Sequence, residues 1–563
     1  MAAWIEKHRH LFYLLSAAVL TVLFCIPYLA KDFLAVEHDT FFHLSRIEGL
    51  AESISRGVWF PKIYPYKNGG FGYGSPMFYC DLLLVPSALL YLSGISLCAV
   101  YRILILVLTF FTALSMMYLA EEISGKPGVS VLVSAAFLFS NYRITNVYVR
   151  GALGEVTGLL FLTVLLKGLY DLFERKKSGA WKTIFFGLAG LVFSHNLTFL
   201  FGVVLVIVFA LFCFRRDSNM ASPLFRAAGC AFLVSAWFTL PMIEQLSAQN
   251  LILNYYASSS DLAGSALPLW KYFVNETVFG YGSNDLPRNL QMTLNPGIFL
   301  SLIPLSVFYL WIRKHDVPRF VKVSLVLGYL FLILPWDGIP WDHLSVLSIL
   351  QFPWRLLTPS IVLLSIGAAY GLGQLPERWK YLVPLLFLAV SLEGVYHVLP
   401  AMERTFGITS ETAYEAFLDG SLIDPYYSAS YVRTELAGGE YLPSGSVDFR
   451  VFEYALHDRS GNVLPASMVK DGTSLTVSLS DLPEDGMIEV PLTWYPGYAC
   501  EAEDGTPLAV ASSSRHLAEA VLPSGGTYRI FYRGTALQHL SAWISLLSLP
   551  LVFWMLLRMR KPV

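Results

Sequence analysis

Residues 11–30 read LFYLLSAAVLTVLFCIPYLA, and the ten residues that begin at Glu37 read EHDTFFHLSR. The first run is uncharged and has the length of a helix that crosses a bilayer, about 20 residues. No small-residue cleavage site follows it, so we expect an uncleaved first span and not a signal peptide. The second run places two carboxylates, two imidazoles and a guanidinium directly after that span. It is therefore the first candidate for chemistry.

The rest of the chain repeats this apolar pattern. Its 563 residues are 55% hydrophobic and 14% charged, the mean hydropathy is +0.55, and the apolar residues occur in blocks. This composition excludes a soluble multidomain protein and predicts a polytopic α-helical membrane protein. The net charge of -2 gives no indication of a nucleic-acid partner.

Apolar blocks of roughly 16–22 residues predict about twelve membrane crossings. Residues 129–140 form a shorter block, which we expect to be a half-helix, a re-entrant segment or part of a tilted pair. The twelve blocks begin near Leu11, Pro76, Ala99, Val156, Thr183, Thr198, Leu224, Pro296, Phe320, Leu356, Tyr381 and Leu540.

Short basic clusters predict the orientation, because Lys and Arg concentrate in cytoplasmic loops. Alternation of the spans places clusters such as 175–177, 215–216 and 558–561 on the cytoplasmic side. We therefore predict a multi-pass protein of the cell (cytoplasmic) membrane with its polar site on the extracytoplasmic face. The segments that meet on that face are 31–75, 143–155, the turn around His195, 244–295, 336–355 and 398–538.

The composition changes near residue 400, where Gly, Ser, Pro and Asp separate short runs. Residues 447–452, 475–479 and 527–532 alternate apolar and polar side chains, which is typical of strands with one buried face. The predicted parts are a multi-span membrane domain over 1–400 with surface helices in 31–75, an extracytoplasmic β-sandwich domain over 401–538, and a last span with a basic tail over 539–563.

The polar run after the first span can form a site in one specific way. If a helix begins at Asp39, then Asp39 and His43 lie four residues apart on one face, and Phe41 and Phe42 anchor the helix at the bilayer surface. A carboxylate beside an imidazole can act as a general base or hold part of a divalent-metal site, with Mg²⁺ or Mn²⁺. The alternative is an ordinary solvated loop.

Three later segments add polar groups at predicted span ends. Arg150 and Glu155 lie in one loop, where Glu155 can also simply cap the next helix. His195 lies in an otherwise uncharged run, so it marks either a functional group or an interfacial turn. Arg355 directly precedes a span, where it either snorkels to the interface or binds a phosphate group with its planar fork.

Six short motifs follow one another along the chain: HDTFFH (38–43), RGALGE (150–155), SHNLT (194–198), QFPWR (351–355), EYLP (440–443) and WYPGY (494–498). These six motifs resemble a bacterial integral membrane family labelled pyruvoyl-tetrahydropterin-synthase-related and its YfhO-like relatives. More broadly, the chain resembles the C-type glycosyltransferase (GT-C) superfamily in the order of its parts: a first span, an acidic outer loop with a surface helix (37–56), a Gly- and aromatic-rich loop that leads into the span at Pro76, a second acidic outer loop (150–155) and a late arginine at a span end, Arg355. The resemblance covers nearly the whole chain and implies a GT-C-like fold.

The resemblance implies an inverting transfer of sugar from a polyprenyl-phosphate donor to an acceptor of the cell envelope, which is a glycan, a lipid or a protein. It also implies that the protein is surrounded by membrane lipids. Asp39 would be the catalytic carboxylate, with Glu37 and His43 beside it. The donor and its phosphate would be bound by Arg355, Arg150, His195 and Glu155. If a divalent metal (Mg²⁺ or Mn²⁺) is used, its ligands would be Glu37, Asp39, His43 and Glu155.

Two other classes of function stay open. A transporter or flippase of a lipid-linked sugar typically carries ionisable residues at mid-membrane and repeated halves. Here the polar residues occur at span ends and no internal repeat is visible. A non-catalytic envelope scaffold would leave the clustered acids and Arg355 without a purpose. The leading hypothesis is therefore an enzyme, whose donor sugar and acceptor the sequence does not specify.

Overall fold

The computed structural model describes residues 2–30, 34–35, 38–214, 220–258 and 261–376, scattered positions in 382–398, and residues 407–408, 436, 439–449 and 451–558. It is mostly helical, with a C-terminal region of β-sheet. The first unit comprises residues 1–40, 98–232 and 260–428, and the second unit residues 41–97, 233–259 and 429–563. The predicted domain limits at residues 400 and 538 stay predictions.

The described helices follow the apolar blocks of the sequence. In chain order they are α1 (Ala2–Lys7), α2 (Arg9–Ala30), α3 (Thr40–Ser55), α4 (Ser75–Phe78), α5 (Val85–Leu92), α6 (Leu97–Ser124), α7 (Pro127–Leu138), α8 (Asn141–Tyr148), α9 (Leu153–Phe173), α10 (Ala180–Ser194), α11 (Asn196–Cys213), α12 (Ala221–Ala248), α13 (Ile252–Ser258), α14 (Ile298–Leu302), α15 (Leu305–Ile312), α16 (Arg319–Ile333), α17 (Leu357–Gly373) and α18 (Ala536–Leu557).

Seven segments of the described chain are long and apolar enough to cross a membrane: α2, α6, α9, α11, α12, Pro353–Gly373 and α18. Shorter apolar helices occur at Leu82–Leu92, Pro127–Leu138, Ala180–Ser194 and Ile298–Ile312. Several apolar helices of span length agree with the predicted multi-pass membrane protein. The block near Tyr381 lies mostly outside the described residues, and the count of about twelve crossings stays a prediction.

Two spans of the first unit are more buried than the others. The apolar part of α9 is 78% buried inside the protein, and the apolar part of Pro353–Gly373 is 100% buried. α9 packs against α10 so closely that a Cβ on Gly187 would meet the Cα of Leu165 at 2.6 Å. Small residues allow such an approach of helix backbones. Side chains at the ends of these buried helices therefore have rigid supports.

Short strands β1 (Leu34–Ala35) and β2 (Gly407–Ile408) pair antiparallel in the first unit. The second unit carries eight further described strands: β3 (Ser467–Asp471), β4 (Ser474–Leu479), β5 (Met487–Thr493), β6 (Tyr498–Ala502), β7 (Pro507–Leu508), β8 (Val510–Ser512), β9 (Leu517–Val521) and β10 (Gly526–Tyr532). They form two larger antiparallel sheets, with strand orders β3-β4-β10-β6-β7 and β5-β9-β8.

The two larger sheets share one core. Buried side chains from both sheets, including Leu475, Ile488 and Ile530, belong to a single hydrophobic cluster. This arrangement confirms the predicted C-terminal β region. The strands predicted at 475–479 and 527–532 correspond to β4 and β10.

Two predictions of local structure are wrong. The described residues of 447–452 form turns and irregular backbone, and no strand. Helix α3 begins at Thr40, directly after Asp39. Phe41 and Phe42 are 2% and 7% exposed. They are buried in the protein and so do not anchor α3 at a bilayer surface.

Candidate active site

A tight turn between α8 and α9 sets the position of Arg150. The backbone N–H of Arg150 donates to the carbonyl of Thr145 at 2.9 Å. Gly151 follows with a φ of 59°, a left-handed conformation that glycine adopts without the penalty of a Cβ. α9 then begins, and Glu155 lies in its first turn. The turn therefore brings Arg150 and Glu155 together.

Glu155 is the centre of a buried polar network and is 2% exposed. Its Oε1 accepts hydrogen bonds from the hydroxyl of Tyr142 at 2.5 Å, from Nδ2 of Asn146 at 3.2 Å and from the hydroxyl of Thr358. Its Oε2 accepts from Nη1 of Arg150 at 2.7 Å. A buried carboxylate is tolerated when it is both paired and hydrogen-bonded, as Glu155 is.

Arg150 is stabilised as a cation in this setting. Burial alone lowers the pKa of its guanidinium, but the carboxylate of Glu155 acts in the opposite direction and the net effect is a raised pKa. The guanidinium also lies over the ring of Trp354, 4.6 Å from the centroid, where a cation–π attraction adds to the ion pair. Arg150 and Glu155 thus neutralise each other.

Arg355 lies in the turn Pro353–Leu356 that leads into α17. Its Nη1 donates to the carbonyl of Leu350 at 3.2 Å and to Oε1 of Gln351 at 2.6 Å. Its Nε is buried and has no hydrogen-bond partner among the described residues. Arg355 therefore keeps one donor for an anion.

Two aromatic rings of the QFPWR motif support both guanidinium groups. Phe352 and Trp354 stack with their centroids 4.9 Å apart and their planes within 8°. Arg355 lies over Phe352 at 5.3 Å, whereas Arg150 lies over Trp354. Gln351, which binds Arg355, has a φ of 60°, a strained conformation that often accompanies a functional site.

Asp39 is attached by its backbone to the turn that carries Arg150. The N–H of Asp39 donates to the carbonyl of Arg150 at 2.9 Å. The charge of Asp39 acts favourably on the guanidinium groups of both Arg150 and Arg355. The first unit therefore brings together Asp39, Arg150, Glu155 and Arg355.

His195 joins this cluster between α10 and α11. Its Nδ1 lies 2.8 Å from the hydroxyl of Thr198, and its imidazole interacts electrostatically with Glu155, Arg355 and Arg150. Burial lowers the pKa of His195 to about 4. The imidazole is therefore neutral near pH 7 and adds no third positive charge to the cluster.

Stability should fall as the pH drops from about 6.5 towards 4, in part because of His195. Histidine in the unfolded chain has a pKa of about 6.5 and binds a proton over this range. Folded His195, with its pKa of about 4, does not. The unfolded state then binds more protons, which lowers the free energy of unfolding. Thermal unfolding at several pH values measures this effect: His195→Asn should lose part of the pH dependence, and an unchanged dependence would contradict the lowered pKa.

Glu37 and His43 are also predicted to belong to the site. Glu37 lies outside the described residues. His43 belongs to the second unit and is 1% exposed, with its Nδ1 3.2 Å from Nη1 of Arg46. Arg46 in turn forms a buried ion pair with Asp81 at 2.5 Å. The catalytic roles assigned to Glu37 and His43 stay predictions.

The predicted divalent-metal site stays a prediction. Oε1 of Glu155 already accepts from three donors, so Oε2, which accepts from Nη1 of Arg150, is the oxygen with room for a further ligand. Among the residues that the structure describes, no group of three or more His, Cys, Asp or Glu side chains is arranged to hold a metal ion. The remaining ligands, Glu37, Asp39 and His43, stay predictions.

Sequence reasoning missed several residues of the cluster, among them Asn146, Trp354 and Thr358. Asn146 binds Glu155 and also accepts from Nη1 of Arg150 at 2.5 Å; its position four residues before Arg150 is a signal that helical spacing provides. Trp354 lies inside a motif that was singled out for its arginine. Thr358 gives no signal, because a threonine in an apolar helix usually bonds to a carbonyl of its own helix.

The chain is similar to known proteins over part of their length. No family model matches it, so the predicted relationship to the YfhO-like family is not confirmed. An uncharacterized protein of Lactococcus lactis subsp. cremoris (strain MG1363) is 25% identical over 271 residues, which cover 46% of this chain and 43% of that protein. The cryo-EM structure of arabinofuranosyltransferase AftD from mycobacteria is similar with a TM-score of 0.44 and 11% identity, over 72% of this chain and 28% of that chain. Because each match spans less than half of the other protein, the function has to be inferred from the residues of this chain.

Proposed function

We propose that the protein is a membrane glycosyltransferase that moves a sugar from a polyprenyl-phosphate donor to an acceptor of the cell envelope. The decisive observation is the difference between the two arginines of the cluster. Arg150 is neutralised by Glu155, whereas Arg355 keeps an unpaired donor and interacts with the charge of Asp39. One anion-binding guanidinium and one carboxylate are the two charged groups that sugar transfer from a phosphate requires.

The reaction follows from these two groups. The acceptor hydroxyl attacks the anomeric carbon of the sugar, and the bond between that carbon and the phosphate oxygen breaks. Asp39 takes the proton from the hydroxyl as a general base. Arg355 binds the phosphate and stabilises the charge that develops on the leaving oxygen. Attack from the face opposite the phosphate inverts the configuration at the anomeric carbon.

The location of the cluster suits a lipid-linked donor. Glu155 and Arg355 lie in the first turns of two segments, Leu153–Phe173 and Pro353–Gly373, that are long and apolar enough to cross a membrane. A polyprenyl chain stays in lipid while its phosphate needs polar partners at the boundary. The amino-terminal ends of helices also favour anions. On the predicted topology, transfer takes place on the extracytoplasmic face.

Replacing Arg355 with alanine should lower transfer by about 10²–10³-fold, the usual effect of removing one donor from a developing oxyanion. Arg355→Lys should lower it less, by about tenfold, because a lysine keeps the charge but loses the planar fork. Transfer is measured in isolated membranes as the release of polyprenyl phosphate and the gain in mass of envelope glycans.

The matched control is Arg313→Lys, the same exchange at an exposed arginine outside the cluster. This variant should transfer at the wild-type rate. Wild-type transfer by both Arg355 variants, with unchanged amounts of folded protein, would overturn the assignment of Arg355 to the phosphate.

A further inference from the structure

A pocket of about 420 Å³ lies in the first unit and is lined by residues that have no role in the cluster. Its volume is within the range of small-molecule sites, about 300–1,000 Å³. The lining combines an aromatic ring, Trp270, with the polar side chains of Asn284, Arg288, Gln291 and Asp337. The pocket is therefore large enough and polar enough for a hydrophilic ligand.

The loop over residues 281–291 contributes much of this lining, and a bridge between Tyr281 and Gln291 ties its ends together. Nε2 of Gln291 donates to the carbonyls of Asn284 and Leu286 at 3.2 and 2.6 Å, which fixes the side-chain amide. Oε1 of the same amide is buried and has no hydrogen-bond partner among the described residues. A buried acceptor is costly unless a ligand or water donates to it. Gln291 thus contributes an unsatisfied acceptor to the wall of the pocket.

The charges of the pocket favour a neutral ligand. Arg288 lies over the ring of Trp270, 4.8 Å from the centroid, so each side chain holds the other in place. Arg288 and Asp337 carry opposite charges, and together they give no net preference for an anion. Sugar hydroxyls can accept from Arg288 and donate to Asp337 and Gln291. The CH groups of a sugar ring can pack against the indole of Trp270.

The same loop extends to the candidate active site. Tyr281 stacks on His38, with 4.6 Å between the ring centroids and 5° between the planes. Gly282 lies against Trp354, because a Cβ at this position would meet the indole nitrogen at 2.8 Å. His38 and Trp354 each directly precede a residue to which transfer chemistry is assigned above. One end of the loop therefore contacts the cluster, while its other residues line the pocket.

We infer that this pocket binds a sugar residue of the acceptor, so that the acceptor is a carbohydrate chain and not a protein or a simple lipid alcohol. The loop over residues 281–291 then holds the carbohydrate so that one of the carbohydrate's hydroxyls is directed to Asp39. That the bound sugar is an acceptor rests on the proposed transfer reaction. That the pocket binds a glycan does not rest on that reaction.

Binding of neutral oligosaccharides to the purified full-length protein in detergent tests the pocket directly. The probes are gluco-, galacto-, manno- and arabino-oligosaccharides of about three to six units, a size that fills the pocket and extends beyond it. At least one of these four oligosaccharide series should bind, as measured by saturation-transfer NMR. Trp270→Ala should weaken that binding about tenfold. Gln291→Met, which keeps the side-chain length but removes the acceptor, should weaken it about fivefold.

Two further variants separate the possible outcomes. Trp311→Ala is the matched control, because Trp311 is 40% exposed and does not line the pocket; it should bind like the wild type. Asp39→Asn should still bind the oligosaccharides while it fails to transfer. Binding by a protein that performs no transfer would leave the pocket assigned and reject the proposed reaction. The inference would be overturned if none of the four oligosaccharide series bound. It would also be overturned if folded Trp270→Ala or Gln291→Met protein bound as tightly as the wild type.

Discussion

Replacing Asp39 with asparagine should lower sugar transfer by about 10²–10⁴-fold, which is the contribution of a well-placed general base. Asparagine has nearly the same size, so the hydrogen bond from the backbone N–H of residue 39 to the carbonyl of Arg150 is kept. The exchange removes the proton acceptor and the negative charge that acts on Arg150 and Arg355. The measurement is mass spectrometry of envelope glycans from cells that carry each variant.

Asp342→Asn is the control, because Asp342 is an exposed carboxylate on the same predicted face and lies outside the cluster. It should leave transfer unchanged. The thermal unfolding of Asp39→Asn should resemble that of the wild type, so that its defect is one of chemistry. Full transfer by a normally folded Asp39→Asn protein would exclude Asp39 as the base and favour the transporter or scaffold hypothesis.

The membrane architecture can be predicted from the sequence because one physical quantity decides it. An apolar run of span length has few alternatives to a helix in lipid, where every backbone polar group must be satisfied within the segment. Accordingly, α2, α6 and α18 begin within a few residues of the predicted blocks near Leu11, Ala99 and Leu540.

Local details depend on contacts that are distant in the sequence. Aromatic residues beside a span commonly lie at the membrane interface, and this rule predicts an exposed Phe41 and Phe42. Packing overrides it: Phe42, for example, stacks on Tyr79 with 6.0 Å between the centroids. Alternation over 447–452 likewise predicts a strand, but a short alternating pattern does not determine whether a partner strand is present.

In the candidate site, too, the sequence reveals which residues are unusual but not the contacts that each of them makes. Charged residues at span ends are conspicuous in sequence because lipid makes them costly, and this signal singles out Asp39, Glu155 and Arg355. The coordination of each group is not visible in this way. Carboxylates and an imidazole predict a metal site, but whether Glu155 has a lone pair for a metal depends on the donors that the fold brings to it. Tyr142 and Thr358 occupy Oε1 from different helices.

Replacing Glu155 with glutamine should destabilise the protein by about 3–5 kcal/mol, because it leaves Arg150 as a buried charge without its counter-charge. Glutamine preserves the shape, and its Oε1 can still accept from Tyr142 and Thr358. Its amide nitrogen, however, places a second donor opposite Nη1 of Arg150. The double variant Glu155→Gln/Arg150→Met should recover part of the loss, since neither member of the pair then carries a charge. Thermal unfolding and the amount of folded protein in membranes measure both effects.

Glu6→Gln is the same exchange in an exposed ion pair. Glu6 lies 3.1 Å from Arg9, and its side chain is 79% exposed, so this exchange should change stability by less than about 1 kcal/mol. If Glu155→Gln were equally mild, the charge of Arg150 would be satisfied without Glu155. Arg150 could then bind a phosphate as well as Arg355 does, and the distinction between the two arginines, on which the proposed reaction depends, would no longer hold.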